Sequence, residues 1–252
     1  MITPTTIYFI TGANRGIGLA LIEGLLKSKS DIYIFAAARS STPGLSSLVA
    51  EHPDKLSIVN FVAADEASNK AAAGVVEEKS GRVDVVLGVA GISDFMGTVD
   101  ETPVDALEEH FRINVSGILV LYQAFSSLLR KSKNPKFIPF TSGVGSITSY
   151  INLPMGYTCY GASKVALNYL ARKIHFENNW LTCFPLSPGV VRTGMALGNR
   201  KLDKSGILEQ VQDSVMSSPE DAAEKLINIV ESATRETHGG EFINVDGTKI
   251  PW

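Results

Sequence analysis

Apolar residues in this chain fall into two kinds of run. Short, nearly continuous runs such as TIYFIT, IYIFAAA and VDVVLGV alternate with longer stretches in which apolar positions return every three or four residues. The short runs predict strands at Thr6–Thr11, Ile32–Ala38, Leu56–Val62, Val83–Val89, Lys136–Thr141, Leu181–Leu186 and Glu241–Val245. The longer stretches predict helices at Gly16–Ser28, Gly44–Glu51, Glu66–Lys79, Thr102–Lys131, Tyr160–Asn178 and Pro219–Ser232, with Thr102–Lys131 read as two segments meeting near Asn114. Strands that alternate with helices build βαβ units and a parallel sheet. Runs with no polar alternation suit strands covered on both faces. Right-handed crossovers then give an α/β, doubly wound open sheet of about seven strands flanked by helices.

No repeat, low-complexity block or Pro/Gly-rich linker divides the 252 residues, so residues 1–252 are expected to form one domain. The least regular part is Arg192–Ser218, where Gly194, Gly198 and Gly206 break a run holding Met195, Leu197 and Leu202. It reads as a mobile segment. Hydrophobic residues make up 44% of the chain, enough for a large core and too many for a disordered chain. The net charge of −3 with no dense basic run argues against nucleic acid or an anionic membrane as partner. Two cysteines, Cys159 and Cys183, do not make a disulfide framework, which favours a reducing compartment. MITPTTIYFITGAN runs into a strand and a glycine loop, leaving no room for a cleavable leader, and no uninterrupted apolar run reaches the ~18 residues of a membrane span. A cytoplasmic protein is expected. The four histidines show no ligand spacing, so no metal is expected.

Two motifs carry chemistry. The first strand is followed directly by Thr11-Gly12-Ala13-Asn14-Arg15-Gly16-Ile17-Gly18 and then an apolar helix. Glycines let backbone approach a pyrophosphate, and a helix N-terminus offers unpaired N–H groups to it. In this strand-loop-helix context the motif points to a dinucleotide rather than an ordinary tight turn. The second motif lies in TCYGASKVAL, where Tyr160 and Lys164 share one helix face. The same spacing recurs at Tyr169 and Lys173, nine residues on, so the two pairs face nearly opposite ways. Tyr160 starts its helix soon after the fifth strand, near the carboxyl ends of the strands where ligands bind in such sheets. It is therefore the candidate acid, and Tyr169 the structural residue.

Glycines at 12, 16 and 18 after a threonine, together with Tyr160-Gly161-Ala162-Ser163-Lys164, resemble the short-chain dehydrogenase/reductase family over the whole chain, most closely its fungal ketoreductases of the norsolorinic acid type. The resemblance implies a single Rossmann-type domain with a small substrate lid near the C-terminus, here about residues 192–218. It also implies that Tyr160 gives a proton to a carbonyl that receives hydride, and that Lys164 binds the nicotinamide ribose. A nearby ammonium is expected to lower the phenol pKa from its usual ~10 toward the working pH.

The cofactor expected is NADP(H). A carboxylate after the second strand would hold a ribose 2′-hydroxyl, and an Arg would accommodate a 2′-phosphate. Here the strand ends Ala38-Arg39-Ser40-Ser41, and Arg15 adds a second cation. Asp65 matches the family position that meets the adenine and also reads as a helix N-cap. Ser142, ending the fifth strand, matches the catalytic serine, with Ser146 as a local competitor. The Ser142–Tyr160 gap is longer than usual in the family. Asn114, a poor mid-helix residue, matches the asparagine that holds a proton-relaying water. Pro188, Gly189, Val191 and Thr193 match the turn that meets the nicotinamide carboxamide. In one departure, Gly88-Val89-Ala90-Gly91 stands where the family usually has Asn-Asn-Ala-Gly. Ala90 and Gly91 still allow close cofactor approach, and the loss bears on local rigidity.

The Ser142–Tyr160 gap holds Ile147, Tyr150, Ile151, Leu153, Met155 and Tyr157 and no Arg or Lys. That suits a neutral, moderately bulky ketone or aldehyde. Two other classes remain open on this scaffold: a non-catalytic NADP(H)-binding sensor, and a lyase or epimerase. A homodimer or homotetramer is expected from the family's habit of pairing the long helices.

Overall fold

In a computed structural model of the chain, residues 5–252 are described. The first four residues, part of the segment read as too short for a leader, lie outside the described residues. Among the described residues, eight strands and nine helices follow the βα alternation. They begin with β1 (Thr6–Thr11), α1 (Gly16–Ser28), β2 (Ile32–Ala38), α2 (Pro43–Glu51), β3 (Leu56–Asn60), α3 (Glu66–Ser80) and β4 (Val85–Gly88). After these come α4 (Val104–Phe111), a π-helical turn (Arg112–Ser116), α5 (Gly117–Leu129), β5 (Lys136–Pro139) and α6 (Thr158–Glu177). The last third holds β6 (Thr182–Cys183), β7 (Leu186–Ser187), α7 (Gly194–Leu202), α8 (Ile207–Val215), α9 (Pro219–Ser232) and β8 (Ile243–Asn244).

Six strands form one parallel sheet in the order β3-β2-β1-β4-β5-β6, and β7 pairs in parallel with β8. The strand expected at Leu181–Leu186 is thus two strands. Pro185, which has no N–H to give a ladder, lies between them. A single bridge from Phe140 to Leu186 carries the sheet on past the break. Successive residues of each strand feed opposite faces, as the pleat requires. Tyr8, Ile10, Ile34, Ala36, Val85 and Leu87 pack under α1 and α9. Ile7, Phe9, Phe35, Ala37, Val86 and Phe137 pack under α3, α5 and α6. That two-sided burial is why the strands read as continuous apolar runs.

The strand order reverses between β1 and β4, which places a crevice at their carboxyl ends. The run Val104–Leu129 spans 26 residues and reaches a mean hydropathy of 1.2, the one such helix among the described residues. Its apolarity has a local cause: Ile118, Leu121, Phe125, Leu128 and Leu129 are buried in the α3–α5–α6 layer.

The segment read as irregular, 192–218, is two helices joined by Gly206, which has φ 71°. Thr193 caps α7 through its hydroxyl, which accepts from the Ala196 N–H at 3.2 Å. Arg200 on α7 pairs with Glu209 and Asp213 on α8, and Lys204 pairs with Glu101 at 3.0 Å. Gly194, Gly198 and Gly206 dilute helix propensity, and these side-chain contacts supply what the propensity lacks.

Candidate active site

The glycine loop joins β1 to α1 at the crevice. A side chain on Gly18 would collide with the Gly12 carbonyl, so helix and loop approach too closely for any residue but glycine. Gly12 takes φ 65°, in the left-handed region that glycine tolerates. A Cβ on Gly12 would lie 3.1 Å from the Ala90 nitrogen, which shows how near the loops after β1 and β4 come. Thr11 ties them: its Oγ1 accepts from the N–H groups of Val89 and Ala90 at 2.9 and 3.0 Å. This side chain supplies the rigidity that Gly88-Val89-Ala90-Gly91 lacks of its own. The motif contains Thr11, but this bracing role was not expected of it.

Beyond β2, Asn14 Nδ2 donates to the Ser40 carbonyl at 3.1 Å, and Thr42 Oγ1 donates to the Asn14 carbonyl at 2.8 Å. Arg15 and Arg39 are both exposed beside this junction, and neither pairs with a carboxylate among the described residues. Asp65 caps α3, accepting from the Ser68 N–H at 2.8 Å. At the other side of the crevice, Thr193 lies over the glycine loop, 3.3 Å from where a Cβ on Gly16 would stand. Pro188, Gly189 and Val191 belong to the same turn after β7, with Gly189 at φ 72°. Ile17 is half-buried in the first turn of α1.

Helix α6 presents the Tyr160–Lys164 face to this crevice. Lys164 is 4% exposed, and its Nζ donates to the Phe140 carbonyl at 2.8 Å. It stands 5.4 Å from the centroid of the Tyr160 ring and 3.7 Å from where a Cβ on Gly91 would be. The Ser142 side chain faces the Tyr160 phenol and favours its ionised form. Ser146 is committed elsewhere: its Oγ donates to the Pro251 carbonyl at 2.6 Å. The long gap before Tyr160 is absorbed by a 3-10 turn at Gly143–Gly145 and by the exposed side chains of Ile147, Tyr150, Ile151 and Leu153. It does not displace Ser142 from Tyr160. The second pair points away, with Tyr169 72% exposed and Lys173 bound to Glu177 at 2.9 Å.

Asn114 is fully buried in the π-helical turn. Its amide accepts from the Ile92 N–H at 2.9 Å and donates to the Ile92 carbonyl and to Ser163 Oγ, both at 3.0 Å. Those bonds explain why an asparagine interrupts this helix. They join the loop after β4 to α6 one residue before Lys164.

The expected effect of Lys164 on Tyr160 is corrected by the structure. Burial pushes the phenol well above its usual range, the neighbouring Tyr157 adds to that, and only Ser142 opposes it. Lys164 is not among the groups that lower it, and burial pulls the lysine's own pKa down to about 7. At that value the lysine is about half charged at neutral pH.

Comparison with known proteins decides the family. Residues 6–203 match the sequence profile of the short chain dehydrogenase family. The chain is 35% identical to the norsolorinic acid ketoreductase of Aspergillus parasiticus, over 98% of this chain and 91% of the relative. The chain belongs to the short-chain dehydrogenase family. An uncharacterized oxidoreductase of Schizosaccharomyces pombe is 34% identical over the full length of both chains. Among solved structures, the NADPH-bound carbonyl reductase from chicken fatty liver superposes with a TM-score of 0.86 at 27% identity, covering 99% of this chain and 100% of that one. The molecule is accordingly an oxidoreductase of the short-chain dehydrogenase family, and its helix-flanked parallel sheet is the fold those structures share.

Proposed function

We propose that this short-chain dehydrogenase is an NADPH-dependent reductase of a neutral, moderately bulky ketone or aldehyde. The observation that carries the reading is the meeting of Ser142, Tyr160 and Lys164 beside the glycine loop, at the carboxyl ends of β1, β4 and β5. A dinucleotide fits the residues present. The Gly12–Gly18 cradle is one that a Cβ would fill, and Lys164 is a buried donor with no anion beside it. The reduced nicotinamide supplies the hydride.

The chain's own residues do the rest. Gly12, Asn14, Gly16, Ile17 and Gly18 line the pyrophosphate, and Arg15 and Arg39 grip the ribose 2′-phosphate. Asp65 meets the adenine. Ala90 and Gly91 let the nicotinamide ribose come close, and Lys164 holds that ribose. Pro188, Gly189, Val191 and Thr193 border the carboxamide. Ser142 donates to the substrate carbonyl oxygen as negative charge grows there. Tyr160, kept neutral by its burial, delivers the proton to that oxygen, and Asn114 braces α6 and, as the family resemblance implies, holds the water that relays protons to Lys164. The mouth of the pocket favours an uncharged substrate. The gap between Ser142 and Tyr160 holds no Arg or Lys, and Met195, Leu197 and Leu202 of α7 are exposed apolar side chains.

The cofactor half of the reading is tested by NADPH and NADH binding to wild type and to Arg15→Ala/Arg39→Ala. The double variant is expected to lose roughly 10- to 100-fold in NADPH affinity, as two charge-assisted hydrogen-bonding partners are removed, with NADH affinity moving less than threefold. Equal losses for both cofactors would overturn the assignment of the two arginines.

A further inference from the structure

In the carbonyl-reductase reading, Ser142 and Tyr160 converge on one substrate oxygen. The chain between them is a poor ruler. It makes a 3-10 turn at Gly143–Gly145 and then carries the exposed side chains of Ile147, Tyr150, Ile151 and Leu153 before α6 begins. An exposed connection of this length is the mobile kind and does not fix the distance between its ends. That distance is set by a direct tie between the Ser142 turn and α6.

Asn168 makes the tie. It lies on α6 one turn beyond Lys164, so Tyr160, Lys164 and Asn168 form one row along the helix. It is 2% exposed. Its Oδ1 accepts from Thr141 Oγ1 at 2.6 Å, and its Nδ2 donates to the Gly145 carbonyl at 3.1 Å. Thr141 is buried and directly precedes Ser142. Gly145 closes the turn, its N–H donating to the Ser142 carbonyl at 2.9 Å. One amide therefore grips the chain on both sides of the serine. Its orientation is set by its partners: the Gly145 carbonyl can only accept, so the nitrogen faces it and the oxygen faces the threonine hydroxyl. The turn also lies close against the helix. A Cβ on Gly145 would stand 3.0 Å from Asn168 Nδ2 and 3.0 Å from Lys164 Cβ.

We propose that Asn168 is a positioning residue of the reaction: through Thr141 and Gly145 it holds the Ser142 turn on α6, so that the Ser142 hydroxyl and the Tyr160 phenol meet the same carbonyl oxygen. This rests on the carbonyl-reductase reading and adds the residue that sets the spacing of its two hydroxyls. Asn168 acts through Ser142 and not on the substrate itself. Displacing a reacting group by about 1 Å can lower a rate by about 100-fold, so the tie is felt in kcat.

The test measures kcat for reduction of a neutral ketone by the full chain at saturating NADPH, in wild type and Asn168→Leu, and again with Ser142→Ala added to each. Losing the tie is expected to cost about tenfold or more when Ser142 is present, and less than about twofold when it is absent, since no hydroxyl is then left to misplace. A general loss of folding would lower both backgrounds alike. Thr141→Val removes one bond and keeps the side-chain volume, and it takes the place of Asn168→Leu if that variant does not fold. A cost at least about threefold greater in the Ser142 background supports the inference. A smaller difference, or no cost in either background, overturns it and leaves the carbonyl-reductase reading intact. If wild type reduces no ketone, that reading fails instead. Crystal structures then decide the inference, as they do if Ser142→Ala is too slow to measure. Ser142 Oγ farther from Tyr160 Oη by about 1 Å or more in the variant supports it, and a smaller shift overturns it.

Discussion

Lys164 pairs two properties that rarely coexist in a stable protein, near-complete burial and a cationic side chain. Its sign is informative. The folded-state pKa is about 7 against an ordinary 10.5, so folding disfavours the charged form. Below pH 7 the lysine is charged in both states and the full burial cost is present. Between 7 and 10.5 only the unfolded chain keeps the proton, so stability rises with pH, and above 10.5 the cost is gone. A shift of this size corresponds to roughly 5 kcal/mol as an upper bound. Lys164→Met should therefore raise Tm by several degrees at pH 6, with the gain shrinking toward pH 9.5. A gain that stays constant or grows with pH would contradict the account. Tyr160, Lys164 and Ser142 were legible in the sequence because a motif and a strand end marked them. The direction of the Tyr160 shift was not, since it depends on how deeply the ring is buried and on Tyr157.

The π-helical turn at Arg112–Ser116 shows how an element is bent by one side chain. Its extra residue places Asn114 where it saturates both polar groups of Ile92 and reaches Ser163. The break was readable, because asparagine sat badly in an otherwise helical, apolar stretch. Its form was not, since the bonds that stabilise it come from another loop and another helix. Asn114→Leu leaves the Ile92 N–H, the Ile92 carbonyl and Ser163 Oγ without this partner and should cost about 2–4 kcal/mol in urea unfolding. The exposed control Gln123→Leu, on α5, should cost under about 0.5 kcal/mol. Equal effects would remove Asn114 from its bracing role. Helices α7 and α8 were missed for the opposite reason. Their glycines argue locally against helix, and the evidence for helix lies in the Thr193 cap and the Arg200–Glu209–Asp213 pairing.

At the scale of the whole molecule, strand order places every candidate residue. The reversal between β1 and β4 brings the glycine loop, the loop after β4, Ser142 and the Pro188–Thr193 turn to one end of the sheet, and α6 lays Tyr160 and Lys164 across it. The alternation of strands and helices was enough to predict that arrangement, because parallel crossovers leave few topologies. The split was open to reading from Pro185, while the bridge from Phe140 to Leu186 was not, as its two residues lie far apart in the chain. The central claim is that hydride passes from the nicotinamide to a carbonyl carbon while Tyr160 supplies the proton. It is tested most directly by mass spectrometry of the alcohol formed from a neutral ketone with NADPH deuterated at both C4 positions. The account predicts one deuterium on the carbinol carbon in wild type, and formation of that alcohol falling at least about 100-fold in Tyr160→Phe with NADPH binding retained. Product without label, or a Tyr160→Phe variant that turns over like wild type, would contradict it.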